Sequence, residues 1–286
     1  MRPFMQFEHV SYQYPSQNEN ALTDVTFSVH PGEFLSIFGA DDSGKSTLAK
    51  LTNGLLLPAA GIVTIADLQL DAHLKTLPSL QQQQILYRLH QRVGVVFADP
   101  ENQLVGATVE EDVAFGLGNL RLPSAEIRRR VETYLKQVGL AHYAKRSPHK
   151  LSGGEQQKLC IAGILAMEPE CLVCDEPLTF LDSASRQEVL ALLRDVHASG
   201  KTIVYLSGSP EELLIAQRIL LLSQGKISGE YCPAALWGQP VLFEEIGLTP
   251  PDIITLRAAL LAYGYNIQPD SLTPEAIVED ICSCNT

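Results

Sequence analysis

The chain has no uninterrupted apolar run of the roughly 18 to 20 residues that would cross a bilayer as a helix. Its start, Met1-Arg2-Pro3-Phe4-Met5-Gln6, also lacks the apolar core of a secretory signal. The expectation is a cytosolic chain whose membrane role, if any, comes through a partner. Basic residues are scarce: 21 Lys and Arg stand against 33 Asp and Glu, for a net charge of −12. A nucleic-acid surface needs a basic stripe that displaces counterions, so that class is excluded. No period of roughly 20 to 50 residues recurs, which excludes a tandem of two similar units. Of six cysteines, Cys171 and Cys174 have ligand-like spacing, but no second Cys/His pair sits at a finger-like distance. Residues three apart in a strand point to opposite faces, so no zinc is expected there.

What the chain does carry is a phosphate cradle. The run Gly39-Ala40-Asp41-Asp42-Ser43-Gly44-Lys45-Ser46-Thr47 fits G-x-x-x-x-G-K-[ST]. It follows the apolar stretch Phe34-Leu35-Ser36-Ile37 and precedes a helix-like segment from Leu48 to Leu55. That order of strand, loop and helix aims backbone N–H groups at a di- or triphosphate. Lys45 then neutralises the outer oxygens, and Ser46 offers its hydroxyl to Mg²⁺. Asp41 and Asp42 place two carboxylates in a loop built to hold an anion, which raises the question of turnover.

Two more segments define the chemistry. An apolar strand over Cys171-Leu172-Val173-Cys174 ends in Asp175-Glu176. Asp175 at a strand end can hold Mg²⁺ or its water shell, and Glu176 can orient or deprotonate the water that attacks a γ-phosphate. A charged turn after a buried strand is the competing reading. The other segment, Leu151-Ser152-Gly153-Gly154-Glu155, opens a helix and offers free N–H groups at its positive end, a second anion site. Two triphosphate-sensing loops in one chain make sense if the second caps a nucleotide held by another subunit.

These motifs together resemble the ATP-binding subunit of an ABC transporter. Gly39 to Thr47 corresponds to Walker A, Leu151 to Glu155 to the signature, Cys171 to Asp175 to Walker B, and Thr179-Phe180-Leu181-Asp182 to the D-loop. The resemblance implies ATP and Mg²⁺ as cofactors. It implies ATP contacts at Gly39, Ser43, Gly44, Lys45, Ser46 and Thr47, metal contacts at Ser46 and Asp175, and catalysis by Glu176. Val10 to Pro15 resembles the loop whose aromatic stacks on adenine; Tyr14 is the choice for that role and Tyr12 the reserve, with a structural tyrosine as the alternative. Ser152, Gly153, Gly154 and Glu155 would serve a partner's ATP, beside Asp182 of the D-loop. The stretch Pro100 to Gly116 is similar to that of energy-coupling factor ATPases, and so is the tail, with Glu244 to Leu248 and Leu272 to Ala276. That group implies import of a vitamin or metal ion, a second ATPase subunit, a membrane-embedded coupling subunit and a substrate-binding membrane subunit. The chain would then sit at the cytoplasmic face of the membrane through those partners.

The departures cluster on one half-site. Family members carry a glutamine after Val95-Val96-Phe97, where this chain has Ala98, and a histidine after the strand Thr202 to Leu206, where Gly208 stands at its place. Asp41 and Asp42 replace the usual asparagine and glycine. The resemblance therefore implies the weak member of an asymmetric pair, or a regulatory or assembly subunit with little hydrolysis of its own.

The expected fold is α/β, a P-loop NTPase of ABC ATPase type. An antiparallel β subdomain spans roughly Phe7 to Ile65, a helical signature subdomain spans about 104–155, and the phosphate-loop, Asp175 and switch strands share one mostly parallel sheet. The nucleotide-binding domain is expected over 1–230, followed by a helical dimerisation-like appendage over 231–286 in which Ile253 to Leu261 reads as an amphipathic helix. Gln81 to Gln84 reads as an exposed helix start. Asp99, Glu101, Glu110, Glu111 and Asp112 form an acidic stretch that is either a solvated loop or a receiver for an arginine from a membrane subunit.

Overall fold

The computed structural model describes residues 2–16, 18–233, 236, 249–268, 271 and 274–283. Glu244 to Leu248, Leu272 and Thr273, part of the expected dimerisation region, lie outside the described residues. Strands β1 (Met5–Tyr12), β2 (Leu22–Val29), β4 (Ala60–Ile65) and β5 (Leu68–Leu70) form an antiparallel sheet in the order β2-β1-β4-β5. In β1 the buried side is carried by Met5 and Phe7, then by Val10 and Tyr12. A register irregularity between Phe7 and Val10, with His9 at φ 52, inserts the extra residue that keeps both pairs facing the core.

The second sheet runs β10-β9-β3-β8-β7-β6. It comprises β3 (Phe34–Phe38), β6 (Val93–Val96), β7 (Cys171–Asp175), β8 (Thr202–Ser207), β9 (Arg218–Ser223) and β10 (Lys226–Tyr231). The pairs β3 with β8, β8 with β7, β7 with β6 and β3 with β9 are parallel, and only β9 with β10 is antiparallel. This is the mostly parallel core that the sequence leads one to expect. β3, β7 and β8 are buried at every residue, as strands covered on both faces are. Cys171 packs into one hydrophobic cluster and Cys174 into the other, on opposite faces of the sheet. Burial pushes both thiols up, and no metal-ligating cluster occurs among the described residues.

Helix α1 (Lys45–Thr52) leaves the phosphate loop, and α2 (Ser79–Arg92) contains the glutamine run near its exposed start. The predicted helical stretch holds α3 (Val109–Asn119) and α4 (Ser124–Gln137), which share a core with α5 (Gly153–Ala166) through Val113, Leu117, Val131, Leu135, Leu159 and Ile161. Helix α6 (Ser183–Ala198) joins β7 to β8.

After β10 the chain forms α7 (Asp252–Ala262) and α8 (Pro274–Ser283). The expected amphipathic helix is not one. α7 buries only Ile254 and Arg257, and its apolar residues run all round it, leaving Leu256 and Leu261 exposed. Ile254 packs into a cluster with Phe38, Leu213 and Ile219, so its buried side faces this chain's own core. Among the described residues no helix is long and apolar enough to cross a membrane.

Candidate functional site

The sheet delivers three loops to one place. β3 ends at Phe38, and Gly39 donates its N–H to the Ser207 carbonyl at the end of β8. A Cβ at Gly39 would stand 2.4 Å from Ser43 Oγ and 2.5 Å from the Leu222 carbonyl oxygen, so the loop can double back there only on glycine. Gly44, at φ 108, then turns the chain into α1. Lys45, 4% exposed, reaches back to donate 2.7 Å hydrogen bonds to the carbonyls of Gly39 and Ala40. Its Nζ also lies 3.0 Å from Glu176 Oε1.

Asp175 closes β7, and Glu176 follows at φ 51, its N–H bonded to the Leu206 carbonyl of β8. Burial raises the Asp175 carboxyl above its ordinary range; a hydrogen bond from Ser46 opposes this, and the Glu176 charge adds to it. Asp175 Oδ1 and Ser43 Oγ are buried without a hydrogen-bond partner among the described residues. A buried Asp175 oxygen without a donor, on a carboxylate that the Ser46 hydroxyl reaches, suits a hard divalent cation, and the looped backbone around Lys45 suits a phosphate chain.

Gly44, Lys45, Ser46, Thr47, Asp175 and Glu176 line a cavity of about 880 Å³. Tyr14 stands at its wall, its hydroxyl 3.2 Å from Thr47 Oγ1 and its ring edge-on to Tyr12 at 5.0 Å. Tyr12 is a core residue, and burial pushes its phenol up. Tyr14 is thus the tyrosine that faces the cavity. Asp41 and Asp42 line the same wall and are exposed; Asp42 adopts φ 60, the left-handed conformation that glycine would otherwise supply.

One of the two missing-group positions lines this space and the other abuts the phosphate loop. Ala98 is on the cavity wall. A Cβ at Gly208 would lie 3.4 Å from the Gly39 carbonyl oxygen and 3.9 Å from Lys45 Nζ, so a side chain at this position would sit against the phosphate loop. Two glutamines absent from the sequence reading hold the loop that carries Ala98. Gln103 accepts from the Phe97 N–H and donates to the Phe97 and Asp99 carbonyls, and buried Gln157 donates to the same Phe97 carbonyl. The sequence gives no cue that these amides turn back onto that backbone. Asn18, Glu19 and Asn20 also line the cavity, and their only signal is proximity to Tyr14 in the chain.

None of the signature residues lines this cavity. Ser152 is the N-cap of α5 and forms a capping box with Glu155: the Ser152 N–H and hydroxyl donate to Glu155 Oε2 at 2.8 and 3.0 Å, and Ser152 Oγ accepts from the Glu155 N–H. The Ser152 N–H holds the Glu155 carboxyl below its ordinary range, against the smaller opposing effect of burial. Asp182 caps α6 in the same way, accepting from the N–H and hydroxyl of Ser185. The two helix starts touch: a Cβ at Gly154 would meet Ser185 Oγ at 2.4 Å, and one at Gly153 would meet Leu181 at 3.8 Å. Signature and D-loop therefore form one surface, with Phe180 71% exposed on it.

In the acidic stretch Glu101 and Glu111 are exposed and Asp99 and Glu110 half-buried. Asp112 is buried and accepts from the N–H groups of Val105 and Gly106; Glu110 pairs with Lys145; Glu111 closes the capping box with Thr108; Asp99 accepts from Glu101 N–H and Asn102. Asp99, Glu111 and Asp112 thus serve their own loop and helix start, while Glu110 reaches across to Lys145. The surface beside them is apolar, with Val105 and Phe115 exposed around a cleft that reaches Ile164 and Met167.

A family described as ABC transporter matches residues 22–179, a span that holds both the phosphate loop and the Asp175-Glu176 pair. The chain belongs to this family. It is 39% identical over 273 residues, 95% of this chain and 94% of the relative, to the energy-coupling factor transporter ATP-binding protein EcfA1 of Lacticaseibacillus paracasei. Its fold matches cbiO1 from Clostridium perfringens, part of the ABC transporter complex cbiONQ, with TM-score 0.74 and 29% identity, covering 90% of this chain and all of that one. It also matches a dimeric ATP-binding cassette in a post-hydrolysis state bound to ADP and phosphate, with TM-score 0.70 and 28% identity over 80% of this chain and 98% of that one.

Proposed function

We propose that this chain is the ATP-binding subunit of an energy-coupling factor importer that works beside a second ATPase subunit and keeps ATP in a site short of two catalytic groups. The observation that carries this reading is one-sided. Ala98 on the cavity wall and Gly208 against the phosphate loop stand where the glutamine and histidine would be, while the Ser152 cap and its glycines are intact.

In this reading Tyr14 stacks on the base, and Lys45 with the N–H groups of Gly44 to Thr47 binds the phosphates, while the Gly39 and Ser43 N–H groups are given to the Ser207 and Ala40 carbonyls and hold the shape of the loop. Ser46 and Asp175 would hold Mg²⁺, which supplies charge neutralisation at the phosphate oxygens. Glu176 orients the attacking water and accepts its proton. Removing one group that stabilises a transition state commonly costs about 2.7–4 kcal/mol, or roughly a hundred- to thousandfold in rate. Two such losses leave slow chemistry in this half-site. The surface formed by Ser152, Gly153, Gly154, Glu155 and Asp182 faces the partner's ATP instead, since a dimeric cassette is among the structures this chain resembles.

The remaining partners are a membrane-embedded coupling subunit and a substrate-binding membrane subunit, with this chain at the cytoplasmic face and a vitamin or metal ion as cargo. The cleft of Val105, Phe115 and Met167 is the docking surface for the coupling subunit, and its apolar lining fits a helix end packed by burial of nonpolar surface. The nucleotide-binding domain runs over 1–230 and the tail over 231–286 supports dimerisation.

Restoring the missing groups tests the proposal. Ala98→Gln with Gly208→His should raise hydrolysis by this chain at least about a hundredfold. No gain, with nucleotide binding retained, would support an assembly subunit that does not hydrolyse.

A further inference from the structure

A buried cluster lies behind the phosphate loop. Glu212, 6% exposed in the 3-10 turn Pro210–Ile215 after β8, accepts 2.7 Å hydrogen bonds on one carboxylate oxygen from the hydroxyls of Tyr205 and Ser207. Both donors are buried on β8, and Ser207 Oγ in turn accepts from the Ser209 N–H at 2.9 Å. The Ser207 carbonyl receives the Gly39 N–H, and the Leu206 carbonyl receives the Glu176 N–H. The strand end that Glu212 holds is therefore the one on which both the phosphate loop and Glu176 are hung. Burial and the Glu212 charge push the Tyr205 phenol up, so it remains a donor.

The other carboxylate oxygen points elsewhere. It lies 3.9 Å from Nη1 of Arg186, the one cation paired with Glu212 among the described residues. Arg186 sits in the first turn of α6, and its Nε donates to the Leu181 carbonyl at 3.0 Å, inside the turn that exposes Phe180 and caps α6 with Asp182. Arg186 does not line the cavity.

We infer that Glu212 is a positioning residue for the nucleotide site and that Arg186 ties it to the D-loop, so the Phe180–Asp182 turn and the phosphate loop share one buried anchor. A carboxylate that accepts from two hydroxyls and faces a guanidinium at 3.9 Å has a restricted set of positions, and shifting Leu181 moves the guanidinium. The anchor then moves Ser207 and, with it, Gly39. Contact of a partner with Phe180 would reach this chain's own nucleotide through side chains that touch neither ligand. The inference rests on the cavity being a nucleotide site.

The test is a titration of the full chain with a fluorescent ATP analogue and Mg²⁺, paired with thermal melting. Arg186→Gln, remote from the cavity, should weaken affinity about fivefold or more. Glu212→Gln keeps an acceptor for both hydroxyls and should weaken it by a similar factor. The double variant should be no worse than Glu212→Gln, because both remove the same link. Should Glu212→Gln fail to fold, Ser207→Ala removes one donor at little change in volume and should also weaken binding. Wild-type affinity in Arg186→Gln with a lowered melting point marks a purely structural role and overturns the inference, as do effects that multiply in the double variant. Failure of the wild-type chain to bind the analogue would instead overturn the nucleotide reading on which the inference stands.

Discussion

Nζ of Lys45 lies 3.0 Å from Oε1 of Glu176 across the cavity. The cation that would meet the phosphates and the carboxylate that would meet the attacking water thus neutralise each other. Lys45 is 4% exposed and Glu176 is 24% exposed, so the pair is screened less than a surface pair. An incoming phosphate chain competes with Glu176 for Lys45. Glu176→Gln should therefore tighten ATP binding, by about 1 kcal/mol or roughly fivefold, while removing residual hydrolysis. A fluorescent-nucleotide titration beside a phosphate-release assay reads both; unchanged affinity would mean that the pair does not oppose binding.

Asp42 combines a left-handed backbone with a charge at the cavity wall, and the two properties separate by mutation. Asp42→Gly keeps the conformation and removes the charge. Nucleotide affinity should rise about two- to tenfold at low salt, and the gain should shrink as salt screens this exposed group. An equal gain at high salt would trace the effect to the backbone.

Asp175 has a pH signature. Its carboxyl is raised in the fold, chiefly by burial, so the folded chain holds that proton more tightly than the unfolded chain. Ionisation then subtracts stability. The penalty is absent below the unfolded value of about 4, grows as pH rises toward the raised folded value, and is complete above it. Asp175→Asn should raise the melting point at pH 7, with the gain vanishing toward pH 4, and should make nucleotide binding indifferent to Mg²⁺. A gain that persists in acid would contradict the desolvation account.

Phe115 is 57% exposed and Val105 60% at the apolar cleft, while nearby Asp112 is held by its own loop and Glu110 by Lys145. Phe115→Asp should abolish co-purification with the membrane subunits and leave nucleotide binding intact. Charge reversal at Glu110 and Glu111 should act mainly by loosening the start of α3. If reversal alone strips the membrane subunits and Phe115→Asp does not, the docking surface is acidic after all.

Much of this was legible in the residues. The phosphate loop, the Asp175-Glu176 strand end and the Ser152 cap are local in sequence, and their spacing alone carries the chemistry. Opposite faces for Cys171 and Cys174 followed from the two-residue period of a strand. Legibility stopped at contacts made over long separations. The Gln157 hold on Phe97 spans 60 residues, and the approach of Gly208 to Lys45 depends on β3 pairing with β8. Within the acidic stretch only Asp112 departed from a solvated loop, because charge in a sequence says nothing about which backbone N–H it will meet, and Asp112 turned inward to two of them. α7 misled because its leucines continue round the helix, and among its apolar residues only Ile254, with half-buried Ile253 beside it, packs into the core.

The most direct measurement of the asymmetric-pair account is single-turnover ATP hydrolysis by this chain alone, then mixed with a related ATPase subunit that carries both the glutamine and the histidine. The account predicts activity only in the mixture, lost when Ser152→Ala is introduced into this chain. Strong turnover by this chain alone would contradict it, because every site would then lack both groups.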